Sequence, residues 1–233
     1  MIIYDGIALE DVAPVKIEDV RVSSIPISAT ARQRPVTWGA DFVRITGGSR
    51  TVTITFGLLT MDTDERAAEL SRITAWARKT EPKKLRLPWR TGKYLECICT
   101  TLPDPSARQW WESKLRIVFT TYDNPYWTAD DAKTASCGST PFAVMGDAPP
   151  LMQITRTLTD AATNQAYVGG GRTMTFSNIP AGNLVIDLNK QTAAVSGTSI
   201  MSNYAFGSRF IRPQTGAQTI TGTGTVVWRE RWE

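Results

Sequence analysis

The sequence lacks histidine entirely and has only three cysteines among its 233 residues. The missing histidine excludes Ser-His-Asp and Cys-His catalytic sites and zinc sites built on imidazole. Cys97, Cys99 and Cys137 cannot all pair with one another, and alternation along a strand places Cys97 and Cys99 on one face, a poor geometry for a disulfide. We therefore predict reduced thiols, no metal, no cofactor and no enzymatic activity.

Long apolar segments and a basic leader are also missing. No stretch reaches the roughly 18 apolar residues that suggest a membrane helix, and the start, Met1 to Gly6, is unlike a signal peptide. Phosphate-binding glycine motifs such as GxxxxGK[ST] are absent. The net charge of +4 is only mildly basic, so we do not expect direct DNA binding.

Charge and glycine divide the chain into two parts of different character. Residues 1–133 carry 19 of the 26 basic and 17 of the 22 acidic side chains, whereas 11 of the 17 glycines follow residue 133. This shift predicts a first domain over residues 1–133, a linker over 134–150 and a second domain over 151–233.

Periodicity predicts a mainly β protein with one helix. Asp62 and Glu65 form a capping-box spacing ahead of apolar residues at helical intervals, so we predict a helix over about residues 63–79, ended by Pro82. Most other segments alternate in the manner of strands, as in residues 51–56. After residue 150 the strands are short, threonine-rich and separated by turns, which favours a β-sandwich.

Two basic and aromatic segments are candidate interfaces rather than catalytic sites. We interpret the Pro-interrupted segment around Arg32 to Trp38 as an exposed loop that forms an interface. The alternative is a plain hairpin loop. A basic stretch over residues 78–93 reads as a solvated strand edge or a subunit contact, with nucleic-acid binding as the less favoured interpretation. The predicted interface residues are Arg32, Arg34, Trp38, Arg44, Lys83, Lys84, Arg86 and Arg90.

The order of several short motifs resembles the distal tail proteins of phages with long, non-contractile tails. The motifs are the Asp-Asn-Pro-Tyr-Trp end of the first domain at residues 123–127, the Ala-Pro-Pro start of the second at 148–150, and the Arg-Glu-Arg-Trp terminus at 229–232. Each motif is short, and their order and spacing across nearly the whole chain carry the resemblance.

This resemblance implies a fold, an assembly and a set of partners. The first domain would form a ring of six at the tail tip, and the second would be a galectin-like or carbohydrate-module-like sandwich. The ring would connect the tail tube protein to the baseplate hub or tail fibre, and it would contact the C-terminal end of the tape-measure protein. The protein would act in the virion after assembly in the host cytoplasm. The alternative function is a carbohydrate-binding module for host adhesion, although no sugar-binding insertion is apparent in the second domain.

Overall fold

A computed structural model describes residues 1–33, 40–60, 62–103 and 114–233, and it divides into two compact units. Unit 1 is Met1–Trp127 together with the final residue, and unit 2 is Thr128–Trp232. The described chain is mainly β, as the sequence predicts.

Unit 1 contains nine strands and two helices within its described residues. In chain order they are Ile3–Tyr4 (β1), Ile7–Ala8 (β2), Leu9–Val12 (α1), Val15–Val22 (β3), Ile27–Gln33 (β4), Ala40–Gly47 (β5), Thr51–Leu58 (β6), Thr63–Ala77 (α2), Lys83–Arg86 (β7), Lys93–Thr101 (β8) and Leu115–Thr120 (β9). A further strand, Trp127–Ala129 (β10), spans the division between the units.

Seven strands of unit 1 pair antiparallel in the order β2-β1-β7-β8-β9-β6-β3. The inward side chains of β6 are β-branched or aromatic, and they alternate with half-exposed threonines. Strands β6 and β9 lie side by side, so their buried residues form one continuous apolar face. That face is made of Val52, Ile54, Phe56, Leu115, Ile117 and Phe119.

The long helix α2 begins and packs as its sequence dictates. The Asp62 carboxylate accepts hydrogen bonds from the backbone N–H groups of Asp64 and Glu65, which satisfies two free donors of the first turn. Ile73, Trp76 and Ala77 are buried. The helix ends at Ala77, two residues before the predicted end, and the four-residue helix α1 was not predicted.

Unit 2 contains the remaining strands and one short 3-10 turn. They are Lys133–Ser136 (β11), Phe142–Val144 (β12), Ala148–Leu158 (β13), Ala162–Gly169 (β14), Arg172–Ile179 (β15), Gly182–Asp187 (β16), Thr192–Val195 (β17), Thr198–Ser199 (β18), the turn Met201–Asn203, Gly216–Gln218 (β19), Ile220–Thr221 (β20) and Thr225–Trp232 (β21).

Two sheets of unit 2 share one apolar core, so the predicted β-sandwich is confirmed. One sheet has the antiparallel order β18-β17-β16-β13-β21-β11 and the other has the order β15-β14-β20. The first supplies Met152, Ile186 and Trp228 to the core, and the second supplies Tyr167 and Phe176.

Residues 134–150, predicted as a linker, contribute strands to unit 2. Strand β11 pairs with β21, β12 pairs with β19, and β13 has already begun at residue 148. The short side chains of residues 134–136, Thr-Ala-Ser, are compatible with either a loop or an edge strand, and the available edge of β21 decides between them.

Candidate assembly surfaces

The hairpin formed by β4 and β5 is the first candidate surface of unit 1. Its strands pair antiparallel from Ile27 opposite Gly47 to Gln33 opposite Ala40, with one register shift after Thr30. Among the described strands, β4 and β5 pair only with each other and form a separate two-stranded sheet. At the base of the hairpin Ile27 is 73% exposed.

The hairpin contains or borders half of the interface residues predicted from the sequence. Arg32 lies opposite Asp41, and Arg44 lies opposite Thr30. Arg34 and Trp38 fall outside the described residues. The prediction of an interface at these four positions therefore remains a prediction, but the two described positions share one hairpin.

The basic stretch of residues 78–93 is not a strand edge. Strand β7, which carries Lys83, Lys84 and Arg86, is hydrogen-bonded to β1 on one side and to β8 on the other. The Lys83 ammonium lies 3.6 Å from Glu81, and the Lys84 ammonium lies 4.3 Å from the centre of the Tyr94 ring. Two of these charges therefore have partners within unit 1.

The loop after β7 holds Arg90 and presents an aromatic residue. Two consecutive turns are closed by hydrogen bonds from the Arg90 N–H to the Leu87 carbonyl and from the Lys93 N–H to the Arg90 carbonyl, each 3.1 Å. The Arg90 guanidinium lies 5.4 Å from the Trp127 ring centre, a cation–π distance. Trp89, at the turn, is 53% exposed and was not among the predicted interface residues.

The three cysteines are free thiols with suppressed ionisation. Cys97 is buried and Cys99 and Cys137 are half-buried. Burial raises the pKa of all three thiols above the ordinary value, with the Cys99 sulfur a second cause at Cys97. These are the surroundings of structural rather than nucleophilic cysteines.

Neither a metal-ligand cluster nor a membrane-crossing helix is present in the described residues. Over residues 1–33, 40–60, 62–103 and 114–233, no three side chains of the histidine, cysteine, aspartate or glutamate type converge as a metal-ion site would require. In the same part of the chain, neither helix combines the length and the apolar character needed to cross a bilayer.

The carbohydrate-binding alternative requires an exposed tryptophan or tyrosine on unit 2, where Tyr167, Tyr204, Trp228 and Trp232 are the residues of these types. Trp228 and Tyr167 are buried in the sandwich core, and Tyr204 and Trp232 are half-buried. Phe206, which the sequence analysis did not single out, is fully exposed. In the sequence, the exposure of Phe206 is indicated only by the glycine that follows it in a polar segment, and this indication is weak.

Comparison with known proteins gives a match in structure. No family model and no curated protein matches the chain. The crystal structure of the Dit protein of phage SPP1 aligns with a TM-score of 0.75 at 14% sequence identity, covering 100% of this chain and 98% of that one. That protein is described as a paradigm of the hub adsorption apparatus in phages that infect Gram-positive bacteria.

Two structures of the phage p2 baseplate in its activated conformation, one with Sr and one with Ca, align at 8% identity with a TM-score of 0.41, too low to inform the fold. The SPP1 match covers the whole chain at a TM-score well above that level. The chain therefore has the fold of the SPP1 Dit protein, and the resemblance to distal tail proteins that the sequence predicts is confirmed in that fold.

Proposed function

We propose that the chain is a distal tail protein, a non-catalytic subunit of a six-membered ring at the tip of a phage tail. The observation that carries this proposal is the agreement with the SPP1 Dit fold over the full length of both chains. In this proposal the ring connects the tail tube to the baseplate hub and surrounds the end of the tape-measure protein. It acts in the virion after assembly in the host cytoplasm.

The β4–β5 hairpin supports an assembly role for unit 1. A two-stranded hairpin is marginally stable in water unless further strands or another surface cover it. No other described strand of this chain pairs with β4 or β5. A closed ring requires each subunit to offer two different complementary faces, and a hairpin that reaches a neighbouring subunit would supply one of them.

Native mass spectrometry and negative-stain images of the purified full chain test the ring. We expect a particle of six copies with a central opening. A monomer at high micromolar concentration, in both low and moderate salt, would contradict a ring that forms without partners. Detection of the chain at the tail tip of purified phage particles tests the location separately.

A shortened variant tests the contribution of the hairpin. Ile27 and Gly47 are paired at its base, so replacing residues 28–46 by Asn-Gly closes the chain with a two-residue turn. We expect the variant to keep the fold of the seven paired strands of unit 1 and to lose the ring. A folded variant that still assembles as six copies would show that the ring contacts lie elsewhere.

A further inference from the structure

The turn Ala205–Ser208 of unit 2 presents one large apolar side chain to solvent. Phe206 has a relative exposure of 108%, so its ring makes no covering contact within the described residues. Exposure of an aromatic ring of this size is unfavourable because water must surround the whole apolar surface. Since no described residue covers the ring, only a partner could remove its apolar surface from water.

Hydrogen bonds hold the backbone of this turn in a fixed place. The Ser208 N–H donates to the Ala205 carbonyl at 3.2 Å, and Gly207 has a φ of +82°, the conformation that a type II turn requires at its third residue. The turn is fixed to β15 at both ends, through the Ala205 N–H to the Thr175 carbonyl (2.9 Å) and the Arg209 N–H to the Thr173 carbonyl (2.8 Å).

A second set of contacts fixes the residues that flank the turn. The Tyr204 and Phe210 rings stack with centres 4.8 Å apart, and Tyr204 also meets the Phe176 ring at 5.4 Å. The Ser208 hydroxyl accepts a hydrogen bond from the Thr175 N–H. Because these contacts hold the residues on both sides of Phe206, the backbone that carries the ring is already ordered before it meets a partner, which lowers the entropic cost of binding.

The charge around the turn indicates the chemistry of that partner. No aspartate or glutamate stands between Asp187 and Glu230 in the sequence. Arg209 and Arg212 are exposed, and neither forms an ion pair with another described residue. An exposed apolar anchor at Phe206, followed in the sequence by two exposed arginines and by no acidic residue until Glu230, complements an apolar pocket with an acidic rim.

We propose that the Phe206 turn is an anchor that inserts into an apolar pocket with an acidic rim on a different protein of the tail tip. This inference rests on the proposed function. A second copy of the same surface would bring like charges together, because the turn and its arginines would face themselves. A lipid surface is disfavoured because membrane-binding elements present a broad apolar face rather than one ring.

Site-specific photo-crosslinking in assembled phage particles tests the anchor. A benzophenone amino acid is placed at position 206 and, as the matched control, at Val168, which is 42% exposed in the same unit. We expect position 206 to give one crosslinked product with one other virion protein and Val168 to give no such product. In the crosslinkable particles, Arg209→Glu should lower the yield roughly tenfold because it removes the charge complementarity.

A stability control tests whether Phe206 serves the fold instead of a partner. Since no described residue covers the Phe206 ring, Phe206→Ser should retain the melting temperature of the parent.

The outcomes separate this inference from the proposed function. Three results would overturn the anchor and leave the proposed function intact, provided that the particles contain the chain at the tail tip. They are no crosslink at position 206, a crosslink only to a second copy or to lipid, and equal yields at positions 206 and 168. Particles that lack the chain would overturn the proposed function itself, and the anchor with it.

Discussion

Removing the Phe119 ring from unit 1 should destabilise it more than any exposed aromatic substitution would. Phe119 is fully buried on β9, with its ring centre 4.8 Å from that of Tyr4 and 6.0 Å from that of Trp76. Tyr4 and Trp76 also meet edge-on at 5.6 Å. The three rings therefore join β1, the helix α2 and β9 in one aromatic cluster.

The expected loss for Phe119→Ala follows from burial and ring contacts. Truncating a buried phenylalanine costs about 3–5 kcal/mol, because the transfer free energy is lost and a cavity remains. The neighbours are held by hydrogen bonds from the Tyr4 hydroxyl to the Cys97 carbonyl and from the Trp76 Nε1–H to the Ile7 carbonyl, both 3.1 Å. Since these bonds resist collapse into the cavity, we expect a value in the upper half of that range.

Urea unfolding followed by tryptophan fluorescence measures the loss, because six of the eight tryptophans precede residue 128. Tyr122→Ala, at a side chain that is 55% exposed, is the control and should cost less than about 0.5 kcal/mol. A double-mutant cycle of Phe119→Ala with Trp76→Ala should give a coupling of about 0.5–1.5 kcal/mol. A Phe119→Ala loss under about 1.5 kcal/mol would refute the cluster as the link between helix and sheet.

Two further predictions concern unit 2 and the thiols. Gly222→Ala should destabilise unit 2 by about 3 kcal/mol in thermal unfolding, because the φ of Gly222 is +138° and an added Cβ would lie 2.5 Å from the Tyr167 ring. The control Gly170→Ala has open space around the added Cβ and should cost about 1 kcal/mol. Equal losses of stability in the two variants would contradict the steric argument. Iodoacetamide should alkylate native Cys99 and Cys137 more slowly than free cysteine, because their raised pKa values leave less thiolate at neutral pH. It should react with the buried Cys97 only when the protein unfolds. Mass spectrometry of the reaction over time measures the labelling, and fast labelling of the native protein would contradict this prediction.

The sequence predicts those elements whose pattern is local. The helix α2 was predicted within two residues because its cap and its apolar spacing lie inside one segment. The strand β6 was predicted because its β-branched alternation is likewise local. The predictions of α2 and β6 agree with the structure because the core buries the same side chains that create the sequence pattern.

Strand pairing is the part that the local pattern does not contain. Lys83, Lys84 and Arg86 suggested a solvated edge, yet β1 pairs with β7 from a position about 80 residues earlier in the chain. The exposed face of β7 is charged in either case, so charge alone does not distinguish an edge strand from a central one. The exposure of Phe206 is similarly a product of packing, since its neighbours Tyr204 and Phe210 have the same aromatic character and are turned inward.

The buried carboxylate of Glu230 binds Lys133 and Met145, and so connects the segment predicted as a linker to β21. Glu230 lies on the same face of β21 as the buried Val226 and Trp228, and its Oε1 accepts hydrogen bonds from Lys133 Nζ at 2.8 Å and from the Met145 N–H at 2.9 Å. A carboxylate buried there needs such partners, because an unpaired charge away from water is costly.

Lys133→Met should therefore destabilise unit 2, since it removes one of the two donors while Glu230 stays buried. The Lys133 side chain is half exposed, which screens the interaction, so we expect a loss of about 1 kcal/mol rather than the larger cost of breaking a fully buried pair. Lys190→Met is the control, because Lys190 is exposed and its ammonium forms no ion pair with another described residue. Thermal unfolding of both variants measures the difference. Equal melting temperatures would mean that the Met145 N–H alone satisfies Glu230, and that the strand pairing of β11, rather than its lysine, holds this segment in place.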